Sequence, residues 1–304
     1  YSYHFSPLKP EIQHFSPKSV YLDVNSSWSL EDFSTALKIF WNKDVYVFDN
    51  KFVKVTSQNR TALFEKLSSL TFSLFPVHEI NDPTSALLVT SSTLYSPTLD
   101  ELKDSEFHKT LKAYCENNPT PLRVIQIGDN ESIYLKSLKE LRLIQSVRQD
   151  WESLSSLISK EQFITYPENE NSVVIRNADL RIERTPDSLK SSNAPDHLLR
   201  LFAYNRLLYK IGNKGLETDS VADDLITEAG VANIVSPVSS LIVLENQSDY
   251  DRFNIKKYDN SLGNASMNSS GAVPEPHEWM LIILIAGVFI YIFYPKLKSF
   301  ISTN

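Results

Sequence analysis

The stretch Ser19-Val-Tyr-Leu-Asp-Val-Asn-Ser-Ser27 joins a β-strand pattern to the start of a helix. Its first residues are mostly β-branched, apolar or aromatic, which is typical of a strand. Ser29 follows, with Asp32 further on, and this spacing predicts a helix that begins after Ser29 and ends near Trp41. A strand that passes directly into a helix is the repeating unit of parallel α/β folds.

The same alternation continues along the chain. Further strands are predicted at Val45–Phe48, Phe52–Val55, Ser85–Thr90 and Leu122–Ile127. Helices are predicted at Arg60–Leu70, Leu99–Asn117 and Ser132–Ile158. The run over residues 85–90 is apolar almost throughout, which indicates a strand buried on both faces. We therefore expect an α/β domain over residues 17–148, with a doubly wound, mostly parallel sheet and any site at the carboxyl ends of its strands.

The pattern changes on both sides of this domain. Residues 1–16 are rich in proline and aromatic side chains without periodicity, which predicts a linker or the end of an upstream domain. Residues 149–255 predict a small α+β extension. Its elements are one or two antiparallel strands in Ser172–Glu183, helices at Asp196–Ile211 and Val221–Ala232, and a last strand at Ser239–Glu245. Residues 256–272 are rich in Asn, Ser and Gly and predict a flexible spacer.

The end of the chain, residues 273–304, combines prolines, an apolar segment and a basic tail. The uncharged segment 279–294 would form about 24 Å of helix at roughly 1.5 Å per residue, slightly short of an ordinary membrane span. Glu275 and Glu278 precede it, and Lys296 and Lys298 follow it. The positive-inside rule therefore predicts one transmembrane helix, with the C-terminus in the cytoplasm and the bulk of the chain outside. The alternatives for this segment are a plain membrane anchor that is not cleaved from the protein and a buried core helix.

The order of this ending resembles the PEP-CTERM sorting signals of Gram-negative bacteria. The residues that carry the resemblance are Val273, Pro274, Glu275 and Pro276, followed by the apolar helix and the lysines. The resemblance implies recognition by an exosortase, which is thought to cleave such signals, and a location in the periplasm or at the cell surface. A protein exported in this way needs a signal peptide or a membrane segment upstream of Tyr1, so we expect the sequence to be the C-terminal part of a longer protein.

Composition limits the possible functions. The chain has 304 residues and a net charge of −7, and this acidic balance disfavours nucleic acid as a partner. The single cysteine, Cys115, permits no intrachain disulfide and is expected to be a small buried side chain in its helix. With only 7 glycines in the chain, we find no glycine-rich phosphate loop.

Two further segments indicate a family. Asp23-Val-Asn-Ser-Ser27 resembles the Asp-x-Ser-x-Ser metal-site loop of von Willebrand factor A domains. Leu199–Tyr209 and Ile234–Glu245 resemble the C-terminal helix and closing strand of inter-α-trypsin-inhibitor-like proteins, in which a VIT domain precedes a von Willebrand A domain. Together with its ending, the chain resembles the C-terminal part of XrtN-exosortase-system VIT-domain proteins, whose VIT domain would lie upstream.

The resemblance implies a degenerate Mg²⁺ site with Asp23, Asn25 and Ser27 as its first-loop ligands. A hard divalent cation prefers oxygen ligands, which carboxylates, hydroxyls and amide carbonyls supply. Asn25, however, replaces the first serine of the family pattern, and Thr61 is a weak candidate for the second-loop threonine. Thr90-Ser-Ser92 stands where the family has a second aspartate. The alternative is that the first loop only caps the following helix and that the fold needs no metal or other cofactor.

The remaining polar pairs predict structural roles. His78-Glu79 lacks a second histidine or a nucleophile and is expected to lie in a loop, while Asp196-His197 is expected to cap a helix. Asp23 could also be a phosphotransfer nucleophile, but that class needs a second acid where this chain has Asn25. We therefore expect a non-enzymatic envelope protein that binds a protein or extracellular-matrix partner. The alternative is a permanently anchored inner-membrane protein that docks a periplasmic partner, and an enzyme is the third class.

Overall fold

We describe the fold from a computed structural model, which describes residues 1–91, 95–118, 120–186, 196–213 and 223–237. The chain divides into two compact units, residues 1–241 and residues 242–304, and every described residue belongs to the first. The predicted strand over residues 239–245, the spacer and the sorting signal with its helix over residues 279–294 therefore lie outside the described residues. Within the described ranges, no helix is long and apolar enough to cross a membrane.

The described residues form strands, helices and two short 3₁₀ turns. The strands are β1 (Ser2–Pro7), β2 (Glu11–His14), β3 (Ser19–Asp23), β4 (Asp44–Phe48), β5 (Phe52–Lys54), β6 (Ala86–Thr90), β7 (Leu122–Ile127), β8 (Ile144–Gln149), β9 (Gln162–Thr165), β10 (Ser172–Ile175) and β11 (Leu180–Thr185). The helices are α1 (Leu30–Ile39), α2 (Arg60–Leu67), α3 (Leu99–Leu102), α4 (Glu106–Asn117), α5 (Ile133–Glu140), α6 (Trp151–Ser159), α7 (His197–Asn213) and α8 (Asp223–Val231).

A largely parallel sheet of six strands is the centre of the fold, in the order β5-β4-β3-β6-β7-β8. All neighbours in it are parallel except β4 and β5, which form an antiparallel pair at one edge. The prediction of a mixed α/β fold with a mostly parallel sheet is confirmed. The strand order reverses between β3 and β6, the two central strands, whose residues are almost all buried.

Helices cover both faces of this sheet, because successive side chains of a strand point to opposite sides. Val20 and Leu22 pack into a core with α1, α2 and α6, whereas Tyr21 between them packs into a second core with α4 and α5. In β6, Leu87 and Leu88 divide in the same way. Continuous apolar runs are thus explained by burial on both faces, as the sequence of β6 indicates.

The start of α1 confirms the predicted helix cap. The Ser29 hydroxyl accepts a hydrogen bond from the backbone N–H of Asp32, and the Asp32 carboxylate accepts one from the backbone N–H of Ser29. The Trp151 indole N–H also donates to Asp32, over 2.7 Å. Although partial burial opposes ionisation, these hydrogen bonds lower the pKa of Asp32. A local cap therefore also ties α1 to α6.

The single helix predicted over residues 132–158 is wrong. The chain forms α5, then the sheet-edge strand β8, and then α6. Arg142 adopts a left-handed conformation, with φ of 61°, which ends the helix, and Asp150 caps the start of α6. The helix predicted over residues 99–117 is likewise two helices, α3 and α4, and Ser105 caps the second.

Residues 1–16, predicted as a linker or the end of an upstream domain, contain two paired strands rather than irregular chain. β1 pairs with β11 in a three-stranded antiparallel sheet, β1-β11-β10, and β2 pairs with β9. The expected antiparallel strands within residues 172–183 are confirmed as β10 and β11. The residue ranges of α7 and α8 differ by only one or two residues at each end from those of the predicted helices. The division into domains stays a prediction.

Arg142 attaches the extension after residue 149 to the region around α5. Its guanidinium donates two hydrogen bonds of 2.9 Å to the Glu168 carboxylate and one of 3.2 Å to the Asn205 side chain of α7. Gly212, near the end of α7, lies so close to the Leu141 carbonyl that a Cβ atom there would clash with it. This close approach explains a glycine inside a helix, where it is otherwise unfavourable.

Candidate functional site

The candidate site lies where β3 and β6 end side by side. Open α/β sheets bind their ligands at the carboxyl ends of strands, at the point where the strand order reverses. In this sheet that point is the β3–β6 pair, and Asp23 and Thr90, the last residues of the two strands, are directly paired. Both side chains are buried. A cluster of buried polar side chains therefore lies at the edge of the sheet where the sequence predicts a site.

The Asp23 carboxylate is the centre of this cluster. It accepts hydrogen bonds from the Ser73 hydroxyl, with distances of 3.1 and 2.9 Å to its two oxygens. The Thr90 hydroxyl donates to it over 2.8 Å. Burial raises the pKa of Asp23, and the hydrogen bonds from Thr90, Ser73 and Asn25 oppose that rise. A buried carboxylate is thus satisfied by groups from two other segments of the chain.

Asn25 and Ser27 close the first loop onto itself. The Asn25 amide donates to the Asp23 carbonyl over 3.1 Å, and its oxygen accepts from the Ser27 N–H and hydroxyl over 3.0 and 2.6 Å. The Ser27 hydroxyl also donates to the Ser91 carbonyl in the loop after β6. The residues predicted as first-loop metal ligands are therefore brought together, and they bond mainly to one another and to neighbouring loops.

Thr61, the weak sequence candidate for the second loop, is not at this site. β5 runs antiparallel to β4, so α2 begins at the amino edge of the sheet and ends at the carboxyl edge. Thr61 is exposed near the start of α2, whereas Ser73, in the loop beyond its end, reaches Asp23. The sequence signal for Ser73 is a small polar residue inside the apolar run Phe72-Ser-Leu-Phe75.

Whether these residues fit a divalent cation depends on the oxygen ligands that they can offer. Their donor set contains one carboxylate, Asp23, and both of its oxygens already accept hydrogen bonds from hydroxyls. Among the residues that the structure describes, no group of three His, Cys, Asp or Glu side chains could hold a metal ion. Mg²⁺ is usually held by one or two carboxylates in near-octahedral geometry. As arranged, the cluster does not fit such an ion, because its polar groups satisfy one another.

The other sequence candidates occupy structural positions. The His78 ring packs edge-on against Phe107, with centroids 4.6 Å apart, and burial lowers the pKa of this histidine. Cys115 is buried in α4, and burial raises the pKa of its thiol to about 12, which disfavours the reactive thiolate. Asp196 directly precedes α7 and pairs with Arg200 over 3.0 Å.

Several segments at the same edge of the sheet carry exposed apolar side chains. We call Leu70, Phe72, Tyr95 and Ile133 the carboxyl-edge patch; Phe72 is 54% exposed and Tyr95 is 71% exposed. Backbone contacts connect the loops that hold these residues. The Ser26 N–H donates to the Leu70 carbonyl over 2.8 Å, and the Ser73 N–H donates to the Tyr95 carbonyl over 3.0 Å. Leu70, Phe72 and Tyr95 therefore lie on loops that are hydrogen-bonded to the cluster and its neighbours, whereas Ile133 is the first residue of α5.

Comparison with known proteins adds no family assignment. No family model, no curated protein and no solved structure matches the chain.

We predict that Asp23 makes the stability of the fold dependent on pH. Burial raises its pKa above that of the unfolded chain, so its contribution is fully present below the unfolded pKa and is lost as pH rises through the folded pKa. Asp23→Asn removes this titration. Urea denaturation of both proteins across acidic to neutral pH should show the variant gaining stability relative to the parent as pH rises. Asp129→Asn, at an exposed carboxylate of the same edge, should follow the parent. A variant that becomes less stable to urea relative to the parent as pH rises would contradict the prediction.

We also predict that Mg²⁺ leaves the melting temperature of the full chain unchanged. A cation bound only by the folded state would add about 2.7 kcal/mol at roughly 100 times its dissociation constant, which thermal unfolding detects readily. The satisfied donor set leads us to expect no such gain. A clear upward shift in the parent that Asp23→Ala removes would instead establish a metal site.

Proposed function

We propose that this chain is a non-enzymatic binding protein of the bacterial cell envelope, and that its partner is a protein or extracellular-matrix component. In this proposal its sheet domain is a degenerate von Willebrand A-like domain, and the carboxyl edge of the sheet is the contact surface. The observation that carries the proposal is the carboxyl-edge patch, which places exposed aromatic and aliphatic side chains above a buried hydrogen-bond network.

The composition and the support of the patch favour binding. Contiguous exposed apolar surface on a folded protein commonly marks an interaction site, and aromatic residues are enriched in interfaces. Asp23 ties the loop beyond α2 to β6 through the Ser73 and Thr90 hydroxyls, so Phe72 is adjacent to a fixed residue. A contact surface held in place loses less conformational entropy when a partner binds.

The chemistry of the cluster supports binding over catalysis. General acid–base and nucleophilic mechanisms need a base within hydrogen-bond reach of an activated group. Asp23 is buried and surrounded by the neutral groups of Ser73, Thr90 and Asn25. His78 is the histidine that the sequence suggests as a candidate acid or base. It packs edge-on against Phe107 of α4, which contacts the second core. We therefore propose no reaction for this site.

Delivery to the envelope is the second part of the proposal. The residues Val273, Pro274, Glu275 and Pro276, with the apolar segment over residues 279–294, support sorting by an exosortase. In the alternative function the same segment remains as a permanent inner-membrane anchor, and the sheet domain docks a periplasmic partner.

The mature C-terminus distinguishes the two. Mass spectrometric peptide mapping of the protein from envelope fractions of its native host should find an end near residues 273–276, with the apolar segment removed. An intact end at Asn304 in the inner membrane would contradict exosortase processing and favour the anchored alternative.

We predict that Phe72→Asp removes partner binding. The full chain is cross-linked in an envelope fraction of the native host, and the cross-linked proteins are quantified by mass spectrometry. A buried charge at an interface anchor should lower the recovery of a specific partner by about tenfold or more. Trp41→Asp is the matched control, because Trp41 is 81% exposed and follows α1 at the opposite edge of the sheet. Equal losses in both variants, or a loss only in the control, would show that the carboxyl edge is not the contact surface.

A further inference from the structure

Among the described residues, β1 pairs with a strand on one side only. It is the edge strand of the β1-β11-β10 sheet and pairs with β11 from Ser2↔Thr185 to Pro7↔Leu180. α7 packs on the sheet from one face, where Tyr3 contacts Phe202 with ring centroids 5.4 Å apart. The strand is therefore held firmly on one side, and within the described ranges its other side has no strand partner.

The hydrogen-bond pattern of the β1-β11-β10 sheet determines where the backbone N–H and C=O groups of β1 point. The Arg184 N–H donates to the Asn171 carbonyl, towards β10, over 2.7 Å. In an antiparallel sheet the backbone groups of successive residues alternate in direction, so Arg184 and its β1 partner Tyr3 form a non-hydrogen-bonded pair. The N–H and C=O groups of Tyr3 consequently point away from β11, and those of Phe5 do the same two residues later.

The edge also lacks the charges that usually protect one. Monomeric proteins guard exposed edges with lysine and other charged side chains. The edge strand β5 carries Lys54, which pairs with Asp44 over 2.6 Å, and β2 carries Glu11. β1 has the sequence Ser-Tyr-His-Phe-Ser-Pro without Asp, Glu, Lys or Arg, and Phe5 is 62% exposed. An uncharged edge with an exposed aromatic side chain is suited to pairing with another strand.

We propose that β1 pairs with β1 of a second copy of this chain, antiparallel, about a two-fold axis at His4. In such a pair, the residues whose backbone groups point away from β11 must lie opposite one another. Two registers near the middle of the strand meet this condition, one with His4 at the axis and one with Phe5. The register at Phe5 sets Pro7, which lacks an N–H, opposite Tyr3 and loses hydrogen bonds. The register at His4 sets Tyr3 opposite Phe5 of the second copy, twice, and joins the two three-stranded sheets into one.

Side-chain chemistry supports this occupant. A second copy brings no charged side chain to the contact, because β1 itself has none. Tyr3 and Phe5 lie on the same face, so the exposed Phe5 ring would lie beside Tyr3 of the second copy, an aromatic cross-strand pair of the favourable kind. The inference does not rest on the function proposed above, because it concerns a different sheet.

Cysteine substitution tests the register. In the proposed dimer the two His4 residues form a non-hydrogen-bonded pair with Cα atoms about 4.5 Å apart, within the range of a disulfide. The full chain carrying His4→Cys should form a covalent dimer under mild oxidation on a non-reducing gel. Ser6→Cys is the matched control, because two Ser6 residues would lie roughly 14 Å apart along the strands. The parent should also remain uncrosslinked, because Cys115 is buried. No dimer with His4→Cys, or equal dimers with both variants, would overturn the proposal.

A charge substitution tests the association itself. His4→Lys places two ammonium groups opposite each other across the axis, and we expect the dimer dissociation constant to rise about tenfold or more. Analytical ultracentrifugation of the full chain in mild detergent measures it. His14→Lys on β2 makes the same change on another exposed strand and should leave the constant unchanged. A parent that sediments as a monomer, or an equal effect of both lysines, would contradict pairing through β1.

Discussion

The buried carboxylate of Asp23 is the constraint on which the arrangement of the carboxyl-edge loops depends. A carboxylate that is buried at the end of β3 must be hydrogen-bonded, because a buried polar group without a partner is costly. Its partners come from the end of β6, through Thr90, and from the loop beyond α2, through Ser73. Three segments that are distant in sequence are therefore held in one arrangement. Movement of any one of them would leave a buried group unsatisfied.

The surface at this edge follows from that network. Leu70 and Phe72 lie just before Ser73 in the chain, and the Tyr95 carbonyl accepts a hydrogen bond from the Ser73 N–H. Apolar side chains on loops would ordinarily be mobile, but these loops are tied to the most deeply buried strands of the sheet. In the function that we propose, hydrogen bonds within the chain hold the contact surface in place.

Several elements could be predicted from the sequence because their signals are local. The apolar run of β6, the strand before Asp23 and the cap at Ser29 each depend on residues within a few positions of one another. β8 could not be predicted in this way. Ile144 and Val147 are three residues apart, a spacing that also suits a helix, and the strand is defined only by its pairing with β7. β1 and β2 escaped prediction because their partners, β11 and β9, lie far along the chain.

The sequence by itself determined a strand–helix alternation, a parallel sheet buried on both faces and an acidic residue at the carboxyl end of β3, because periodicity and capping depend on neighbouring residues. Only the tertiary structure decided that Ser73, and not Thr61, completes the cluster. The reason is the antiparallel strand β5, which reverses the direction in which α2 runs and carries the loop beyond it to the carboxyl edge. The position of β1 at an edge of the described sheet was decided in the same way, by a long-range pairing with β11 that no local pattern records.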